Sequence, residues 1–227
     1  MAFPSTFVDL QNEVIGSVRL EATDDLQRSK DWVNQVYSAI CVEVEAVVTS
    51  ATSTLTAAAA TYAIPSAIAR IKQLTVLTSG QTTYSGTLEQ VSPAQILDWR
   101  QSGTLGSPTH YAVSGYNILD FYPTPTSADT VLFYYVAFPT ALSADADVPI
   151  LQEPYASYCI KYGALAEAAN FLKDPSEQEY RSLFEMWMKK YRAHLNRRAG
   201  GNTLSLQIGN GASMVPANNS TDLGAWR

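Results

Sequence analysis

Histidine and cysteine are scarce in this chain of 227 residues, two of each, and charged residues make up only 16%. Each scarcity excludes something. His110 and His194 lie far apart in sequence, and no His-x3-His or clustered Cys/His spacing accompanies them, so a zinc site is not expected. A disulfide framework needs more cysteines, closer together; Cys41 and Cys159 fall in helical segments and read as small buried apolar groups. The formal charge of −6 argues against tight duplex binding, which takes arginines and lysines to displace counterions. The first residues lack the basic region and apolar run of a signal peptide, and no apolar stretch approaches membrane-spanning length. The expectation is a chain that folds in a reducing cytoplasm with no membrane partner.

Catalytic and cofactor motifs are missing too. Gly209, Asn210 and Gly211 lack the preceding strand, the following helix and the lysine of a phosphate loop. Ser114 and Gly115 do not make a hydrolase elbow. Glu43 and Glu45, two apart on a helix, do not face each other and cannot share a proton. Asp129, Asp145 and Asp147 lack the dense oxygen spacing of a calcium loop, and aspartates in turns usually satisfy backbone amides. No enzyme activity, metal or cofactor is expected.

What is present is apolar. Hydrophobic residues reach 46%, which supports a real core, and the low charge suits subunits that hide surface against neighbours. Phe7, Leu10, Val14 and Val18 recur at helical steps behind Ser5 and Thr6 as N-caps, with Asp9 three residues after Thr6. After a polar break at residues 21–25, Trp32, Val33, Val36, Tyr37, Ile40, Val44 and Val47 mark a second helix. From residue 51 to 62 alanine and threonine dominate, and the stretch 57–60 has no assignable role. Residues 68–77 read as a strand, 79–80 as a turn and 84–91 as a weaker strand. Ser92 and Pro93 start a short helix ending near Gln101. A hairpin follows around Gly115, and residues 130–138 form the strongest strand, an almost continuous branched and aromatic run. Such a run implies burial on both faces, or one face in the subunit and one against a partner.

Helical character then returns. Tyr155, Tyr158, Tyr162, Leu165, Ala169 and Leu172 form one stripe, with Pro154 in the first turn. Asp174, Pro175, Ser176 and Glu177 restart a helix whose stripe is Tyr180, Leu183, Phe184, Trp187, Tyr191 and Leu195. The order implies an α+β chain: a helical bundle core with an inserted small β domain and an extended C-terminal arm. Its expected divisions are 1–50, N-terminal helices of the core; 51–147, the inserted β domain; 148–198, C-terminal helices; and 199–227, the arm.

Several motifs within this order are similar to those of the head-to-tail adaptor (connector) proteins of tailed bacteriophages. They are Tyr62, Ile64 and Pro65 before Ile68 and Arg70; Gly106, Ser107 and Pro108 before Tyr111 and Gly115; Phe121, Tyr122 and Pro123; and Leu142, Ser143, Asp145 and Asp147. The resemblance covers residues 5–198. It implies a structural virion protein of the neck, assembled in the host cytoplasm as a dodecameric homo-oligomer. Its implied partners are the portal protein, a tail or neck protein, and viral DNA that passes the channel without specific binding. The alternative is a carbohydrate-binding or other interaction module of a phage tail, since exposed tyrosines on a Ser/Thr-rich β unit suit glycans.

Three sets of candidate residues follow. Tyr122, Phe133 and Tyr135 (with Tyr134 as the alternative to Tyr135) are expected at the subunit interface, because tyrosine buries area at low entropic cost. Lys189, Lys190, Arg192, Arg197 and Arg198 are either the solvated face of the last helix, a docking surface for acidic groups on a partner ring, or a contact with DNA. In the arm, Leu204, Leu206 and Ile208 alternate with Ser205 and Gln207, and Met214, Val215 and Trp226 add apolar anchors for the portal. The arm is expected to be disordered in the free subunit and ordered on assembly.

Overall fold

The computed structural model describes residues 5–18, 23–77, 86–115 and 117–198. In chain order these form α1 (Phe7–Val18), α2 (Thr23–Glu43), β1 (Val48–Thr54), β2 (Thr61–Ala63), β3 (Ile68–Leu77), β4 (Glu89–Gln90), α3 (Pro93–Arg100), β5 (His110–Ser114), β6 (Ile118–Tyr122), β7 (Thr130–Ala137), α4 (Tyr155–Leu172) and α5 (Glu177–Arg198). The fold is α+β, with four helices outside the β region and one inside it. The turn expected at residues 79–80 and the whole arm, including Leu204, Leu206, Ile208, Met214, Val215 and Trp226, lie outside the described residues.

Local chemistry explains most of the boundaries. Thr6 Oγ1 accepts from the Asp9 amide (3.3 Å) while the Thr6 amide donates to the Asp9 carboxylate (2.9 Å), a reciprocal cap on α1. Ser92 and Gln95 repeat that arrangement at α3, with Pro93 in the first turn. Asp174 caps α5 by accepting from the Ser176 amide at 2.8 Å; Glu177 pairs with Arg181 one turn on. Ala58 takes a left-handed φ of 63° and donates its amide to Pro125 O (2.8 Å), so residues 57–60 are a turn between strands.

Buried residues separate into two clusters. In the bundle, Phe7, Leu10 and Val14 of α1 and Val33, Val36, Tyr37 and Ile40 of α2 close on α4 and α5. The inner face of α4 is built from small residues, Ala156, Cys159, Gly163, Ala164 and Ala168, with Ile160 and Leu165. The tyrosine stripe expected there flanks this face: Tyr155 and Tyr162 are only partly buried. α4 is contacted by α1, α2 and α5, and small side chains allow that approach.

The β module consists of two sheets. One has the order β1-β7-β3, all antiparallel; the other is β2-β6-β5-β4, antiparallel except for the parallel pair β4/β5. β1, the first strand in chain order, begins at Val48. β7 is the central strand of its sheet, which is why its residues are nearly all apolar. Val131, Phe133 and Tyr135 join Leu55, Leu74, Val76, Leu119 and Phe121 between the sheets, whereas Tyr134 is 46% exposed.

Candidate functional site

An interaction protein is read by its exposed side chains, its charged surfaces and the joints that fix them. The joint is the most fully bonded feature. Residues 142–147, returning from the β module, run beside the start of α1. Phe7 N donates to Asp147 O (2.7 Å) and Val8 N to Asp145 O (3.2 Å), so this turn satisfies amides that a helix N-terminus leaves open. The Asp147 carboxylate accepts from the Ser143 (2.7 Å) and Ala144 (2.8 Å) amides, which hold its pKa below the ordinary value. Asn34 of α2 closes both sides of Leu142, donating to its carbonyl (2.9 Å) and accepting from its amide (2.8 Å). The hydroxyls of Tyr37 and Tyr191 then accept from the Ile150 (3.4 Å) and Gln152 (3.2 Å) amides. Leu142, Ser143, Asp145 and Asp147 thus serve as the seam where the bundle closes around the insertion.

Glu43 and Glu45 work at the other crossing. Glu43 pairs with Arg192 of α5, and Glu45 receives Arg70 (2.5 Å) and Lys72 (2.7 Å) from β3. These pairs are largely solvated and each contributes little to stability.

The basic residues of α5 divide. Arg192 is taken up by Glu43, and Arg198 donates to the Gln152 side chain. Lys190 sits 4.1 Å over the Trp187 ring, which stacks on Tyr158 at 4.3 Å. Lys190, His194 and Arg197 line a groove of about 280 Å³ with Tyr155 and Trp187 as its apolar wall. Lys189 and Arg197 have no carboxylate partner among the described residues. The surface is cationic and aromatic together.

Of the interface candidates on the β module, Phe133 is 1% and Tyr135 9% exposed, and both fill their own subunit's core. Tyr134 (46%) and Phe138 (50%) are the exposed aromatics of that run. Tyr122 is partly exposed; its ring lies 5.2 Å from Trp99, and hydrogen bonds from Ser102 and Thr104 lower its hydroxyl pKa. The charged contact that sequence reading missed is Arg100. It ties α3 to β6, pairing with Asp120 (2.9 Å) and donating to the carbonyls of Ala60 (2.6 Å) and Phe121 (3.3 Å). The pair is separated by twenty residues and has no local sequence signal.

Among the described residues no group of His, Cys, Asp or Glu is arranged to hold a metal ion, and no helix is long and apolar enough to cross a membrane. Cys41 and Cys159 are both buried and unpaired, with burial pushing each thiol up to about 12. Residues 5–213 match the protein family described as SU10 adaptor protein. The chain belongs to the SU10 adaptor protein family. It is accordingly a phage adaptor, a structural protein of the virion, and the helical bundle, the β module and the seam between them all lie within the family match. No curated protein matches the chain.

Proposed function

We propose that this adaptor assembles as a dodecameric ring joining the portal to the tail or next neck component, and that the ring forms part of the channel through which viral DNA passes. The observation that carries this reading is the family match across bundle and β module together. Two kinds of exposed surface support it. On the β module and its return segment, Tyr134, Phe138, Val148 and Ile150 leave 42 to 59% of their area exposed, more than a lone subunit gains from. In a closed ring each subunit uses two different faces, and these residues, with Tyr122, suit contact between neighbours. On the bundle, Lys190, His194 and Arg197 beside Tyr155 and Trp187 suit acidic groups on an adjoining protein. The low overall charge suits a channel that DNA passes without binding. Residues 199–227 act as the arm toward the portal in this reading, reaching about 95 Å when extended at roughly 3.3 Å per residue.

Sizing of the purified protein, alone and with portal protein, tests the proposal. The expected result is a large homo-oligomer or one that forms when portal is added. A protein that stays monomeric and runs separately from portal overturns it. Tyr134→Glu, at an exposed position, is expected to leave the fold intact and prevent ring closure.

A further inference from the structure

The two sheets present four edge strands, and three are protected against further pairing. β2 and β4 are only three and two residues long. β3 carries Arg70 and Lys72, has two register shifts against β7, and is further covered where Leu88 N donates to Leu74 O (2.8 Å) and Thr75 bridges Thr87. Charges, irregularities and short length are the usual means by which an edge avoids an unwanted strand. β1 has none of them. Its seven residues, Val-Thr-Ser-Ala-Thr-Ser-Thr, include no charge, proline or glycine, and six of the seven are exposed. β1 pairs with β7 alone, and among the described residues nothing makes a backbone hydrogen bond to its outer edge.

We propose that the outer edge of β1 takes residues 204–208 of this same chain as an added strand. This rests on neither the ring nor the portal reading. Leu204, Leu206 and Ile208 alternate with Ser205 and Gln207, a period-two pattern without charge that matches an uncharged edge. The place where the helical part ends favours it. Arg192 of α5 pairs with Glu43, the last residue of α2, five positions before β1 begins, and Arg198 reaches Gln152 ahead of α4. The chain beyond Arg198 therefore leaves from the bundle end that carries the β module. Six residues from there to Leu204 span up to about 20 Å when extended. The family match also continues past Arg198 to residue 213, so it includes this segment. The added strand gives β1 backbone partners on its open side. With residues 204–208 seated on β1, residues 209–227 are what remains of the arm to reach a partner.

Hydrogen exchange resolved to single amides tests this on three proteins: the full chain, the chain ending at Arg198, and the full chain with Leu206→Pro. Proline cannot donate to a ladder and fixes φ, so this variant tests the strand without truncating the chain, and unchanged β7 and α4 amides report whether the fold is kept. The outward-facing amides of β1 are expected to exchange at least about tenfold slower in the full chain than in either variant, with β7 and α4 amides unchanged. Equal β1 exchange in the full chain and the Leu206→Pro variant overturns the proposal. Cysteine cross-linking at Thr52→Cys and Leu206→Cys completes the test: a link formed when both cysteines are on one chain supports the proposal, and a link formed only between copies carrying one cysteine each overturns it.

Discussion

Gly163 offers the sharpest test of the bundle's packing. It lies mid-helix in α4, where glycine ordinarily costs about 1 kcal/mol relative to alanine. Propensity alone therefore predicts that Gly163→Ala stabilises the protein. The geometry predicts the reverse. A Cβ on Gly163 would stand 2.5 Å from Val36 Cγ1 of α2 and 3.2 Å from two ring carbons of Phe184 on α5. Val36 cannot easily turn away, because a β-branched side chain in a helix has one strongly preferred rotamer. Overpacking of this kind costs about 1–3 kcal/mol, and a 2.5 Å approach belongs at the upper end. After subtracting the propensity gain, the net loss is about 2 kcal/mol, which lowers the melting temperature of a domain this size by about 4–8 °C. Thermal unfolding followed by circular dichroism at 222 nm measures it. A cycle with Val36→Ala isolates the contact, since removing Cγ1 opens the space; Gly163→Ala is then expected to cost much less or to stabilise. A Gly163→Ala protein that melts higher than the parent, or the same loss with Val36→Ala present, refutes the reasoning.

Other perturbations address the β module, the seam and the thiols. Arg100→Met leaves Asp120, 13% exposed, without its cation and frees two carbonyls; denaturant unfolding is expected to show a loss of about 2–4 kcal/mol, and an unchanged midpoint would show the contact to be incidental. The Asp147 pKa is depressed on folding, so its contribution is complete above the ordinary aspartate value of about 3.9 and is lost as pH falls through the lower folded value. Amide signals of Ser143 and Ala144 followed from pH 6 to pH 2 are expected to shift together in that acid window, and a midpoint at or above 3.9 contradicts the bonds described. Cys41 and Cys159, with thiols raised to about 12, are expected to resist alkylation at pH 8 in the folded protein and to react on unfolding; rapid labelling of the native chain would show that the bundle opens.

What could be read from sequence was what local chemistry decides. β3 spans the expected residues 68–77, the helix after Ser92 and Pro93 carries its reciprocal cap, and the hairpin turns on Gly115 at φ 63°. β1 escaped because both its faces are exposed, so burial imposes no alternation on its serines and threonines. The inner face of α4 was misjudged because size governs it: three helices converge there, and alanine, glycine and cysteine admit them where tyrosine would not. On β7, periodicity marked an apolar strand without saying which face the second sheet covers. Phe133 and Tyr135 turned inward and Tyr134 outward, and a one-residue offset separates core from surface. Pairs such as Arg100 with Asp120, or Asn34 with Leu142, depend on three-dimensional closure and leave no trace in spacing.

The seam bears on what an adaptor must do mechanically. In the proposed reading the docking surfaces lie on the bundle and on the β module, and their spacing depends on the segments between them. Four sets of contacts hold those segments. Asn34 holds Leu142, the Asp145 and Asp147 carbonyls hold the start of α1, Tyr37 and Tyr191 hold residues 150–152, and Glu45 holds β3. The last is a solvated ion pair of small worth, but the first three are hydrogen bonds to backbone, each contributing about 0.5–1.5 kcal/mol. Together they exceed thermal energy several-fold, and they converge on one return segment, residues 142–152. Glu45 is the contact of the four that reaches a strand of the β module; Leu142 and Leu151 lie in the bundle's core, so the other bonds fasten the return segment to the bundle. That is why the Leu142, Ser143, Asp145 and Asp147 motif, which has the composition of an ordinary surface turn, belongs to the architecture of the protein.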